Sequence, residues 1–351
     1  REIAKRRGSE EAENADVPAE ADNVIWRASA ADLFILGSTA NRAGVIIGAI
    51  SGLYFSFQEV IEKNYDTFIR QFPALAHLDR SSAPMIAIAL LGLIFIGWLV
   101  SILSTFLTYY GFVLRKRDDR LLRQYGLLTN VESVLKQNRI QSLRISSPLL
   151  RRLLHRATLY AESAGSFGDK AASGQSPLCP LTTVPRLTEL CAVAIPALHY
   201  ATLQWHPVDR KTIRRGFVRY AFLPCLVLIA LGLFYNKLWW IGVPVWLVIS
   251  VGLAYARYRA MGYVDDPAFV ASRYGILTRE IRVLPRAKIQ HVKLEANPFQ
   301  RRQGLATLHI ATAGANSDVP IIDLPRDDAE ALLERLSTDA SAAGEWLPDG
   351  V

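Results

Sequence analysis

The sequence is short of the residues from which most metal and redox sites are built. Its 351 residues hold three cysteines, two methionines and six histidines. Cys179, Cys191 and Cys225 are odd in number and lack C-x-x-C spacing, which excludes a disulfide framework or a thiolate zinc site. No two histidines stand three or four residues apart, the spacing that puts two metal ligands on one helix face. A G-x-S-x-G elbow, a P-loop and a dinucleotide fingerprint are missing as well. No metal, no cofactor and no enzymatic activity are therefore expected.

Charge is missing too, and in long blocks. Residues 81–114 contain no charged side chain, and neither do 43–58, 220–236 or 238–256. The core of the first block, 85–106, has about the 20 apolar residues that a bilayer's hydrocarbon layer requires. These blocks raise the apolar share to 51% and the mean hydropathy to +0.17, above the level of a soluble chain. The spans lack Asp, Glu, Lys and His at mid-depth, so the proton relays and ion paths of a transporter have little to work with. Pro224 and Pro244 are expected to be accommodated within a helix pair.

What is abundant is positive charge beside the apolar blocks, with a net charge of +8 overall. Arg115, Lys116 and Arg117 follow the second span, Arg210, Lys211, Arg214, Arg215 and Arg219 precede the third, and Arg257 and Arg259 follow the fourth. The loop between the first two spans lacks such an excess. The positive-inside rule then predicts that both soluble regions and both termini face the cytoplasm of a multi-pass inner-membrane protein. The lipid bilayer, not nucleic acid, is the expected partner of the basic residues, because each cation near an anionic leaflet gains on the order of 1 kcal/mol.

The chain also repeats itself. Residues 125–165 align without gaps on 274–314 at an offset of 149, with 14 identities in 41 positions. Each copy predicts strands, then a short basic helix (PLLRRLLHRA, PFQRRQGLA), a further strand opening on Thr-Leu, and a C-terminal capping helix. The spans recur at matching distances, so the repeating unit is a helix pair plus a domain.

The recurring pieces are Tyr-Gly-Leu/Ile-Leu-Thr, the Arg/Lys-Ile-Gln core (Arg139, Ile140, Gln141; Lys288, Ile289, Gln290), the Arg-Arg pair of the short helix and the closing Ala-Gly. On these residues the chain resembles the bacterial pleckstrin-homology (PH)-like domain, and its architecture resembles the YdbT-like family of bacterial membrane proteins. The resemblance implies an α+β membrane protein in which transmembrane helix pairs alternate with two small PH-like domains, β-barrel or sheet, each capped by a C-terminal helix. The expected layout is a disordered linker or the tail of an upstream copy at 1–27, a helix pair within 28–107 (about 43–58 and 85–106) and a first PH-like domain at 108–200. A second pair within 201–257 (about 220–236 and 238–256), a second domain at 258–340 and a tail at 341–351 complete it. The insertion 166–177 reads as a mobile loop.

The expected function is a non-enzymatic scaffold for protein assembly or envelope-associated interactions, with a homo-oligomer or another membrane protein as partner. The alternative is an anionic-lipid-sensing or lipid-handling protein, and a small transporter ranks below both. Candidate contacts to lipid or partner are Arg115, Lys116, Arg117, Arg151, Arg152, Arg214, Arg215, Arg301 and Arg302.

Overall fold

The computed structural model describes residues 23–40, 83–163, 177–312 and 318–344, with side chains left undescribed at 83–90, 93 and 339–344. The expected first span, 43–58, lies outside the described residues, as do the greater part of the insertion, residues 345–351 of the tail and 1–22. By their contacts the residues form two compact units.

The smaller unit holds 27–113 and 124–132. Helix α1 (Ala30–Ser38) starts where Ser29 and Asp32 cap each other reciprocally, Ser29 accepting from the Asp32 amide and Asp32 from the Ser29 amide. Helix α2 (Ala83–Tyr109) contains the expected second span. The two helices meet at small residues: Ser101 Oγ donates to the Gly37 carbonyl at 2.9 Å, and a Cβ at Gly37 would lie 3.2 Å from Thr105 Cβ. The carbonyls that end α2 are capped by a turn of the same unit, with Gly126 N donating to Tyr110 O at 2.9 Å and Leu127 N to Leu107 O at 3.1 Å.

The larger unit holds the second helix pair and most of the β-structure. Helix α5 (Lys211–Phe234) starts nine residues before the expected span 220–236 and so takes the basic run from Lys211 to Arg219 into its own first turns. A 3-10 turn at Lys237–Ile241, capped by Asn236, leads into α6 (Gly242–Ala260). Both are long and apolar enough to cross a membrane. Their outer faces point nowhere within the protein: Phe222 is 67% and Val248 73% exposed. Such a face is stable in hydrocarbon and unstable in water. Between the helices, small residues allow close approach, with Gly216 against Ala254 and with Ser250 buried. Pro224 has no N–H for the Tyr220 carbonyl one turn back; the Trp246 indole Nε1 donates to that carbonyl instead, at 3.0 Å.

The strands run β1 (Asn23–Arg27), β2 (Val113–Arg117), β3 (Arg120–Tyr125), β4 (Val131–Lys136), β5 (Ile140–Pro148), β6 (Arg156–Ser163) and β7 (Pro177–Thr183) in the first copy. The second copy supplies β8 (Gly262–Asp265), β9 (Phe269–Tyr274), β10 (Thr278–Pro285), β11 (His291–Glu295), β12 (Leu305–Ala311) and β13 (Val319–Pro325). The short helices are α3 (Leu149–Leu153) and α7 (Pro298–Gln303), and the capping helices α4 (Val184–Ala194) and α8 (Arg326–Gly344). Within the segment expected as a disordered linker or the tail of an upstream copy, Asn23–Arg27 form strand β1 of a sheet, with Trp26 buried.

Three open sheets result, in the orders β1-β2-β3-β4, β7-β6-β5-β10-β9-β8 and β11-β12-β13, and none closes into a barrel among the described residues. The repeated Tyr-Gly has a backbone cause. Gly126 and Gly275 adopt φ of +116° and +95°, and a Cβ on either would collide with the carbonyl of Thr129 or Thr278. The core of the second copy gathers Val270, Leu284, Leu308, Ile310, Ile321 and Leu332 between its strands and α8.

Candidate functional site

The most informative place on the molecule is where the two copies meet. Strand β5 of the first copy pairs antiparallel with β10 of the second, from Thr278↔Pro148 to Val283↔Leu143. On one face Leu143, Ile145, Ile281 and Val283 are buried. Buried side chains of this size contribute about 1.5–3 kcal/mol each.

On the other face Arg144 stands opposite Arg282, and two like charges so placed repel. Carboxylates from both sides offset them: Arg144 lies 3.6 Å from Glu280 and 4.0 Å from Glu162, and Arg282 lies 3.7 Å from Glu280. The Arg144 guanidinium also sits 4.2 Å over the Tyr160 ring. Burial holds the Glu162 carboxyl above its ordinary value, against the pull of the Ser142 hydroxyl, Arg282 and Arg144. Tyr274, whose hydroxyl donates to Glu280 at 3.0 Å, is pushed up to about 12, chiefly by burial.

Further contacts cross the same junction. Arg152 of α3 donates to the Ile276 carbonyl in the β9–β10 turn at 3.2 Å, and Lys288 donates to the Asn138 carbonyl at 2.9 Å. Arg152, a candidate for lipid or partner contact, thus bridges the two copies of the repeat within its own chain.

Among the described residues, the equivalent strands at the far ends have no such neighbour. In the repeat β4 corresponds to β10 and β11 to β5, since each pair is offset by 149, yet β4 and β11 are the outer strands of their sheets. Val134, the counterpart of buried Val283, is 57% exposed. Along β11, His291, Lys293 and Glu295 point outward. Arg301, the counterpart of Arg152, is exposed and donates to the Ala296 carbonyl of its own chain at 3.0 Å.

Several of the remaining basic candidates hold the fold together. Arg151 is buried, with Nη1 donating to Thr158 Oγ at 2.8 Å, and that hydroxyl donates to the Pro180 carbonyl. Gln300 does the same work in the second copy, donating to Thr307 Oγ and to Asp323, each at 2.8 Å. Arg215 is ion-paired with the buried Asp323, tying α5 to the second copy. Arg151 and Arg215, both candidates for lipid or partner contact, thus each meet an acceptor within the chain, Thr158 and Asp323 respectively. Arg115, Lys116 and Arg117 lie half-buried on β2. Arg214 and Arg302 are exposed, the first near the start of α5 and the second on α7. Sequence reasoning missed Arg144, Glu162, Glu280 and Arg282, which alternation alone places on a solvated strand face.

The profile of the bacterial PH domain matches this chain twice, over residues 67–195 and 191–340. The transmembrane protein YdbT of Bacillus subtilis (strain 168) is 22% identical over 317 residues, covering 88% of this chain. The chain spans 62% of that relative's length. No solved structure matches.

Proposed function

The chain belongs to the bacterial PH domain family, and from that premise we propose that it is a non-enzymatic, membrane-anchored scaffold that assembles through the edges of its own sheets. The single observation that carries this reading is the β5–β10 pairing, a ready-made interface whose two halves recur, uncovered, as β11 and β4. An interface built from two different edges is heterologous, so pairing β11 of one molecule with β4 of the next propagates head to tail. Transferred by the offset, the internal register places Lys293 opposite Ser133 and Val292 opposite Val134, and brings Arg301 to the Leu127 carbonyl.

The pairing between molecules is weaker than the one within. Glu132 stands where the internal junction has the buried Ile281, and a charge there disfavours tight closure. The scaffold is accordingly reversible. The helix pairs hold it in the inner membrane, and the basic residues flanking α5 and α6 keep the PH domains on the cytoplasmic leaflet.

The test co-expresses a Ser133→Cys chain and a Lys293→Cys chain with different tags and oxidises native membranes. The reading expects a mixed disulfide dimer, made more abundant by Glu132→Ile and removed by Val292→Pro, since proline cannot donate to a ladder. Absence of the mixed dimer, with both chains folded in the membrane, overturns it.

A further inference from the structure

A second cluster of cations lies at the C-terminal end of α6, and unlike the junction it contains no carboxylate among the described residues. Arg273 stands opposite Ile281 in the β9–β10 ladder, so Arg279, two residues from Ile281, shares its face as a diagonal neighbour at about 7 Å. Arg152, held at the Ile276 carbonyl, reaches the turn that joins these two strands. Arg259 belongs to the last turn of α6. Arg273 is set in a slot, with its guanidinium 4.8 Å from the Trp205 ring and its Nε 3.0 Å from where a Cβ on Gly262 would lie.

Arg273 and Arg279 are the unusual members. Both are half-buried, both have a buried Nε with no hydrogen-bond partner, and neither has an ion pair with a carboxylate among the described residues. Burial lowers the affinity of both guanidinium groups for their protons. Arg279 and Arg259 add to the effect on Arg273, and Arg152 to that on Arg279. The Tyr200 phenol is close enough to feel both arginines, and burial keeps it in its protonated, donating form. Like charges crowded together and partly shielded from water raise the free energy of the empty protein, and an oxyanion among them lowers it.

We propose that Arg152, Arg259, Arg273 and Arg279, with the Tyr200 hydroxyl, form a binding site for a phosphate group at the membrane surface. Paired guanidinium groups match phosphate oxygens with bidentate hydrogen bonds that an ammonium group does not reproduce. The position just beyond α6 puts the phosphate of an inner-leaflet phospholipid within reach, and a soluble phosphate offers the same oxygens. The site is peculiar to the second copy: the counterparts of Arg259, Arg273 and Arg279 are Tyr110, Gln124 and Asn130. It stands apart from the scaffold reading, because none of these residues lies on β4 or β11.

The test uses the full chain in phosphatidylcholine nanodiscs with and without phosphatidylglycerol, and separately with inorganic phosphate against chloride at equal ionic strength. Thermal stability and Trp205-dependent fluorescence are followed. Phosphatidylglycerol or phosphate is expected to raise the melting temperature, and the double variant Arg273→Gln, Arg279→Gln to weaken that response about tenfold or more. A response to phosphatidylglycerol alone assigns the site to lipid, and one to inorganic phosphate assigns it to a soluble ligand. The ligand-free double variant is expected to melt above the unaltered protein, because repulsion has been removed, which separates lost binding from misfolding. Gln124→Ala leaves the response unchanged. The proposal is overturned if neither anion stabilises the unaltered protein, if the double variant responds as strongly, or if it melts lower when empty.

Discussion

The two copies are close to the same sequence pattern in two situations, and their differences show what each situation demands. In the first copy β5 has a neighbour on either side, and Leu143 and Ile145 are sealed off; in the second copy β11 has one neighbour, and Val292 and Leu294 are only partly buried. Under α3 of the first copy the buried acceptor is the Pro180 carbonyl, which is neutral. Under α7 of the second it is the Asp323 carboxylate, which calls for both Gln300 and Arg215. A paired edge demands hydrophobic residues, and a buried charge demands partners.

Removing that charge tests the contrast most severely. Asp323→Ala leaves Arg215 without its counter-ion and is expected to destabilise by about 3–5 kcal/mol in detergent-solubilised protein. Thr158→Val, which strips the hydroxyl between Arg151 and the neutral Pro180 carbonyl, costs about 1–3 kcal/mol. Equal losses in thermal melts would refute the distinction. Next comes the covered edge: Ile145→Ala is expected to cost roughly 2–5 kcal/mol, whereas Leu294→Ala at the open edge costs about half as much or less. If assembly covers β11, the second value rises toward the first at high protein concentration.

A smaller effect concerns the residue after each short helix. His155 and Gly304 occupy the same place in the repeat and both have left-handed backbones, with φ of +54° and +67°. Glycine accepts this conformation without strain and histidine does not. His155→Gly is expected to stabilise by about 0.5–1 kcal/mol, and Gly304→His to destabilise; a lower melting temperature for His155→Gly would refute the argument.

The smallest effect is alkaline. The Tyr274 phenol is raised to about 12 from its ordinary 10.0. Its contribution is fully present below the unfolded value and is lost as the pH rises toward the folded one, because the unfolded chain ionises first. Tyr274→Phe should flatten the loss of stability between those two values. Tyr125, its counterpart, is stacked on Phe112 at 5.2 Å. An unchanged pH profile in Tyr274→Phe would count against the burial of the phenol.

Much of this was legible in residue order. Tyr-Gly turns, the proline-led or Asn-capped short helices, and apolar blocks long enough for hydrocarbon are local or compositional, and each folds as its own chemistry dictates. The candidate arginines were legible only as charge. Arg151, Arg152 and Arg301 look alike in the repeat, yet one is buried on Thr158, one bridges the copies and one is exposed, because the acceptor each finds lies on a strand distant in sequence. Arg273 and Arg279 gave no signal at all, since crowding of like charges is invisible until two strands are paired.

By itself, then, the sequence determined the elements, their duplication and the membrane-compatible composition, all of which depend on neighbours within a few turns of chain. Only the tertiary structure decided that β10 joins β5 while β4 and β11 are the outer strands of their sheets among the described residues, and that Arg273 and Arg279 share one sheet face. Strand partners and charge partners are chosen across more than a hundred residues, where complementarity of surfaces, not local propensity, sets the free energy.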